Sequence, residues 1–330
     1  MDAQEVTNLI QNEIQKAVTE TSYVFSPPAR SIYSPQNVDP IVQLIVPKTT
    51  PVRNIFPRTP GFGEATSFNM LTGRLDPAAG GTGTAVGFAD AGQPNQTVQS
   101  YTFTSYPYKN LGRDVEIGRQ QIAANRGSNL EDVRASQEMI KTLEVLLGEE
   151  NLLMNGNSTS NITEFNGLNT VLTTNSGTAS LLSASGVAVF ATSLYNNGSD
   201  LVSHLVINPR QNRALSDQLE GGGSIQRIIQ INSTSADGAV LGSTVKGIID
   251  SNTGNEIAVV TSRYSGGWAY LLSVASAAGE NYIEVEDLEA MSIYDVPTSN
   301  HSVVSRVYET SVLKVIGESW QYKIGGVATS

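Results

Sequence analysis

Residues 129–168 read NLEDVRASQEMIKTLEVLLGEENLLMNGNSTSNITEFNGL. The first part has the spacing of one long amphipathic helix. Leu130, Val133, Ile140, Leu143, Leu147 and Met154 recur at intervals of three, four and seven. Ser128 or Asn129 is placed to cap it, and Glu131 and Asp132 fall in the first turn, where carboxylates favour the positive end of the helix dipole. Asn155-Gly156-Asn157 ends it. At ~1.5 Å per residue, a helix over Asn129–Asn155 spans roughly 40 Å. Phe165-Asn166-Gly167-Leu168 then supplies the next apolar anchors. Glu149 and Glu150 sit late on this helix, where the default for paired charges is a solvated face.

Upstream, residues 4–20 predict a short helix, with Val6, Ile10, Ile14 and Ala17/Val18 on one stripe. An extended arm follows to about Pro60, punctuated by Pro27, Pro28, Pro35, Pro40, Pro47, Pro51, Pro57 and Pro60. Asp39 and Pro40 fit the cap and first residue of a brief helix over Ile41–Val46. So many prolines cannot build the interior of a sheet, so the arm needs a partner surface. Ala65–Leu71 and Thr97–Tyr106 have strand composition. The connection LDPAAGGTGTAVGFADAGQPN between them is Gly-rich, and the whole reads as a long projecting hairpin. An isolated hairpin is marginal in water, so this one too expects a neighbour. Residues 114–126 predict a helix.

Downstream of Leu168 the pattern is α+β. Leu201–Ile207 predicts a strand running into Asn208-Pro209, a cap and first helical residue, and a helix to about Leu219 before Gly221-Gly222-Gly223. Thr244–Ile249 and Glu256–Thr261 predict a hairpin across residues 250–255. Trp268–Leu272, Val303–Tyr308, Ser311–Ile316 and Trp320–Ile324 predict further strands. No internal repeat or heptad array is visible.

The chain has 330 residues, 39% hydrophobic and 15% charged, with a net charge of −11. The charged fraction lies well below the ~25% of ordinary soluble domains, with Ser, Thr, Asn, Gln and Gly in its place. Such a surface suits a protein that buries much of it against neighbours. The acidic balance and the lack of a Lys/Arg cluster argue against direct nucleic-acid binding. No cysteine is present, which excludes disulfides, thiolate metal sites and a Cys nucleophile. No apolar run reaches the ~18 residues of a membrane span. The N-terminus is amphipathic and charged, unlike a signal peptide.

Catalytic constellations are close to absent. The two histidines, His204 and His301, lie far from any G-x-S-x-G pattern. With no Cys and no paired His, zinc is not expected. Asp250, Asn252 and Glu256 lack the register of a calcium loop, and a polar hairpin turn accounts for them. Gly80–Gly87 lacks the phosphate-loop lysine and precedes no helix. Glu284, Glu286 and Asp287 fall in a stretch that reads as an exposed edge. No catalytic residue, cofactor or metal is therefore expected. An arm, a long hairpin, a long helix and a mixed C-terminal region point to an assembly subunit.

This order of elements resembles the tailed-bacteriophage major capsid proteins of the Hong Kong 97 (Johnson) fold, across nearly the whole chain. Thr50–Arg58 (TPVRNIFPR) is similar to the arm-to-hairpin passage of one podophage-type branch. Glu149–Asn157 with Phe165–Leu168 resembles the end of the family's spine helix and its E-x-x-x-x-x-G … F-x-G-L turn. Leu205–Pro209 resembles the strand-to-helix step of the axial domain. Tyr308–Val315 and Ile324–Val327 resemble the closing strands.

The resemblance implies an α+β fold divided into an N-terminal arm (1–60), an E-loop lying over the adjacent subunit (61–110), and a peripheral domain with the spine helix (111–175). A mixed α/β axial domain (176–290) and C-terminal strands returning to the peripheral domain (291–330) complete it. It implies a non-enzymatic shell subunit forming pentamers and hexamers of an icosahedral phage head around double-stranded DNA, contacted weakly and non-specifically. Localisation to the virion, after assembly in the host bacterial cytoplasm, follows, with no membrane and no cofactor. A portal protein, a separate scaffolding protein and a decoration protein are the partners expected beside the chain itself. No lysine lies between Lys48 and Lys109 to cross-link with Asn95, so a non-covalent shell is expected. The inter-subunit contact candidates are the aromatics Phe62, Phe68, Phe88, Tyr101, Phe103 and Tyr106, for which ordinary hairpin packing is the competing role, and the cations Arg53, Arg58, Arg74 and Arg113. An encapsulin-type compartment holding cargo enzymes shares the fold and is the alternative. A surface-layer protein would need an export signal, and a hydrolase would need a triad.

Overall fold

Ser302–Val315 (β11) is the strand around which the structure is built. Its sequence, SVVSRVYETSVLKV, is rich in β-branched residues. This computed structural model describes residues 49–71, 101–125, 132–199, 201–221, 245–250, 252–276, 278–298 and 300–328, all within one unit, Leu44–Ser330. The expected helices at 4–20 and 41–46, the Gly-rich connection, Arg74, Phe88 and Asn95 lie outside the described residues.

β11 pairs antiparallel on one side with Ile283–Val296 (β10), from Ile283↔Val315 to Val296↔Val304, with register shifts between Asp287 and Ser292. On its other side lies Lys109–Gly118 (β4). Arg58–Pro60 (β1) runs parallel to the start of β10, with Arg58 opposite Val285 and Pro60 opposite Asp287. The sheet order is β1-β10-β11-β4.

β4 corrects the sequence reading of 114–126 as helix. Val115 and Ile117 are buried while Asp114 and Glu116 are exposed. That is a period of two, and it pairs with β11 as far as Gly118. Only Arg119–Asn125 (α1) is helical. β10 is a second correction. Glu284, Glu286 and Asp287 lie between two neighbouring strands rather than on an exposed edge.

The long helix spans Val133–Asn155 (α2), with Asp132 as N-cap accepting from the Arg134 N–H. The caps expected from sequence, Ser128 and Asn129, lie outside the described residues. Val145, Leu147, Leu153 and Met154 are its buried apolar residues. At its end the Phe165–Leu168 motif has a physical basis. Gly167 N–H donates to the Gly156 carbonyl at 2.9 Å, and a Cβ on Gly167 would stand 2.3 Å from the Leu152 carbonyl oxygen. Phe165 and Leu168, which begins the short helix Leu168–Val171 (α3), are fully buried. They join Leu153, Met154, Ile283, Val285 and Leu313 in one core, which also takes in Val52 and Phe56 from the arm. Each such side chain contributes about 1.5–3 kcal/mol on burial.

A second sheet has the order β5-β12-β9-β6-β8-β7. Its strands are Ser176–Thr178 (β5), His204–Ile207 (β6), Gly247–Ile249 (β7), Glu256–Thr261 (β8), Ala269–Leu272 (β9) and Tyr322–Gly325 (β12). Ala184–Asn196 (α4) packs Val187, Ala191 and Leu194 into a core with Leu205, Ile207, Leu271 and Ile324. Asn208 Oδ1 caps Pro209–Gly221 (α5) by accepting from the Gln211 N–H at 2.9 Å, as the Asn-Pro pair suggests. β10 belongs to the four-stranded sheet from Ile283 and β12 to the six-stranded sheet, where the fully buried Ile324 joins the second core.

Ala65–Leu71 (β2) and Tyr101–Pro107 (β3) form the root of the hairpin, antiparallel, with Phe68 opposite Thr104 and Asn69 opposite Phe103.

Candidate assembly interface

Pro51–Phe56 forms a turn in which the Ile55 N–H donates to the Val52 carbonyl. Alternation in the next strand sets its charges. On β10, Ile283, Val285 and Asp287 share one face and Glu284 and Glu286 the other. Each face builds its own ionic cluster.

On the first face, Arg58 draws three carboxylates together. Its Nη1 donates to both Asp287 oxygens at 2.9 Å and to Glu309 Oε1 at 2.6 Å, and its Nη2 donates to Glu149 Oε1. Arg53 Nε donates to the other Glu149 oxygen. Glu149 and Glu309 are fully buried, while a quarter of the Arg58 side chain is exposed. Burial works against the Arg58 charge, but Glu149 and Glu309 outweigh it and raise its pKa. Burial, and then the like charge of Glu149, push the Glu309 carboxyl up against the pull of Arg58. The cluster ties β1 to α2, β10 and β11.

Glu150 lies beside it, equally buried. Its Oε1 accepts from Ser262 Oγ at 3.4 Å, and the Val52 and Arg53 backbone N–H groups favour its charged form. Burial dominates these bonds and the charge of Arg263, and pushes Glu150 up to about 7. Its Oε2 has no hydrogen-bond partner. The solvated face expected for Glu149/Glu150 is thus corrected. α2 turns both carboxylates towards the arm, where arginines and backbone N–H groups receive them.

On the second face, Lys314 Nζ bridges Glu286 at 2.6 Å and Glu284 at 2.9 Å, and Tyr108 Oη donates to Glu286 Oε2 at 2.8 Å. Burial and then this hydrogen bond push the Tyr108 phenol up to about 12. Burial alone would raise Glu286, but Lys314, Tyr108 and Thr66 hold it below the ordinary carboxylate range. Lys314 also stands 5.9 Å from the centre of the Phe68 ring, and Phe68 meets Tyr106 at 6.0 Å. These contacts seat the hairpin root.

The other side of the ribbon is open. Phe103 is 67% and Tyr101 68% exposed, and they share a face at i, i+2. Phe62, where the chain enters the hairpin, is 88% exposed. The expected contact residues therefore divide. Phe62, Tyr101 and Phe103 point outward. Phe68 and Tyr106 pack inward on their own chain. Arg53 and Arg58 find their carboxylates within the chain. Arg113 is largely exposed, with Glu144 3.9 Å away.

His204 is half-buried, its Nδ1 2.9 Å from Ser203 Oγ, and burial lowers its pKa. Asp250 closes the β7–β8 turn by accepting from Asn252 and Thr253. Among the described residues no cluster of His, Asp and Glu is arranged to hold a metal ion, and no helix is long and apolar enough to cross a membrane.

A four-stranded sheet crossed by a long helix, a hairpin rooted on it and a second six-stranded sheet define the Hong Kong 97 class of shell-protein fold, and the chain has that fold. The holo-SrpI encapsulin complex of Synechococcus elongatus matches with a TM-score of 0.58 at 12% identity, over 92% of this chain and 96% of that one. The capsid of cyanophage P-SCSP1u matches at 0.56 and 11%, over 91% and 94%. The phage G structure of gp27 major capsid and gp26 decoration proteins matches at 0.57 and 8%, over 93% and 100%. No family model and no curated protein matches the sequence.

Proposed function

We propose that the chain is the major capsid protein of a tailed bacteriophage. It closes into pentamers and hexamers of an icosahedral head around double-stranded DNA, and its role is geometric rather than catalytic. The supporting observation is the fold, shared over more than nine-tenths of the chain with phage and encapsulin shell subunits. In this reading residues 1–60 are the arm and 61–110 the E-loop, whose outward aromatics Phe62, Tyr101 and Phe103 lie on the adjacent subunit. The four-stranded sheet and α2 make the peripheral domain, and the six-stranded sheet with α4 and α5 makes the axial one. A net charge of −11 keeps the inner wall from gripping DNA. Scaffolding, portal and decoration proteins are the proposed partners, and the virion, assembled in the host cytoplasm, is the proposed location.

Sedimentation of the purified full chain tests this. Megadalton particles support a shell, and a monomer at all concentrations refutes it. The encapsulin match supports a second reading, a compartment holding enzyme cargo. Particles from the native source that carry cargo protein and no DNA would establish that reading instead.

A further inference from the structure

We propose that the outer face of α4, together with the β7–β8 turn beside it, docks a second copy of this chain. The inference rests on the shell reading and assigns it a surface away from the hairpin. With Val187, Ala191 and Leu194 buried, the helical period of about 3.6 residues puts Ser185, Val189, Ser193 and Asn196 on the opposite side. Val189 is 66% exposed, and Tyr195 on the flank is 51% exposed. Asn252 Nδ2 donates to Thr192 Oγ1 at 3.1 Å, which sets the turn against the helix. Ile249, leading into that turn, is 72% exposed. Large apolar side chains thus flank an uncharged polar bridge.

Charge decides the occupant. A helix that stays in water carries charged groups opposite its buried stripe. Residues 165–199 contain no Asp, Glu, Lys, Arg or His, in a chain with 20 basic and 31 acidic residues. Asp250 is buried and bonded within its own turn, and the exposed Glu256, opposite Ile249 on β8, is the one charge bordering the face among the described residues. Two copies each carrying −11 repel at long range. They can be desolvated against each other only where no like charges become buried. Nucleic acid or a strongly charged protein would need more charges than the single Glu256 that borders this face.

Thiol labelling tests the proposal cleanly, because the chain has no cysteine. Val189→Cys and Ile249→Cys are made in the full-length chain and treated with a maleimide. The expected result is rapid reaction in dissociated subunits and reaction slowed about tenfold or more in assembled particles, where access requires opening a contact. Equal rates in both states overturn the proposal. Slow reaction in both states means that the chain covers its own face, and overturns it as well. As a second measurement, Val189→Asp should melt like the unaltered protein yet lose closed particles, and a normal particle yield refutes the assignment. If the unaltered chain forms no particles, the shell reading itself fails, and this inference with it.

Discussion

Replacing Arg58 by Met removes the one cation that Glu149, Asp287 and Glu309 share. Glu149 keeps Arg53, Asp287 keeps some water, and Glu309 is left buried with no cation among the described residues. Breaking a buried ion pair costs about 3–5 kcal/mol. The lower end applies here, because a quarter of the Arg58 side chain is already exposed. The sign of the pH dependence follows from Glu309, whose carboxyl is held above its ordinary range even with Arg58 present. Without Arg58 it rises further, so protonation relieves the penalty. Urea denaturation of dissociated subunits should give a loss of about 3 kcal/mol at pH 8 that shrinks towards pH 5. Adding Glu309→Gln should recover about 1 kcal/mol or more, because the two changes act on one pair. A loss below about 1 kcal/mol, or one that ignores pH, would refute the reading of this cluster as the clasp on the arm.

Glu150 has its own pH signature. Its folded pKa of about 7 exceeds the ordinary glutamate value of 4.5, so between those values the unfolded state holds fewer protons and stability falls as pH rises. Across that window the loss is about 3 kcal/mol, and Glu150→Gln should remove this component of the slope in melts from pH 4.5 to 8. An unchanged slope would place the titrating group elsewhere. Gly167→Ala drives a methyl to within 2.3 Å of the Leu152 carbonyl oxygen and should cost about 2 kcal/mol or more by urea titration; a neutral result contradicts the close approach. Tyr101→Ser with Phe103→Ser should shift subunit stability by no more than ~0.5 kcal/mol, since both rings are exposed, while abolishing particle closure. Normal particles from that variant would remove the hairpin face from the interface.

The long helix, the hairpin strands and the Asn208-Pro209 cap were legible in the sequence because each rests on local spacing. β10 was not. Its IEVEDLE alternates charge with apolar residues, which reads as a solvated edge until Lys314 and Tyr108 are brought to the Glu side and α2 to the other. The Arg58 cluster was invisible for a related reason. Its members lie on the arm, a helix and two strands, with Glu309 separated by 251 positions from Arg58. Pairing across such distances leaves no periodicity. One signal was present: adjacent acids at the end of an amphipathic helix, with Arg53 and Arg58 near the end of the Pro-rich arm. Only one acid of such a pair can lie at the centre of a solvated face. The exposed aromatics Phe62, Tyr101 and Phe103 were legible as residues without an own-chain core, whereas Phe68 and Tyr106 of the same composition turn inward by strand register alone.

Imaging purified full-length chain by negative-stain electron microscopy tests the central claim most directly. The account predicts rings of five and six subunits or closed icosahedral shells. A uniform field of monomers, with neither rings nor shells at any concentration, would contradict it.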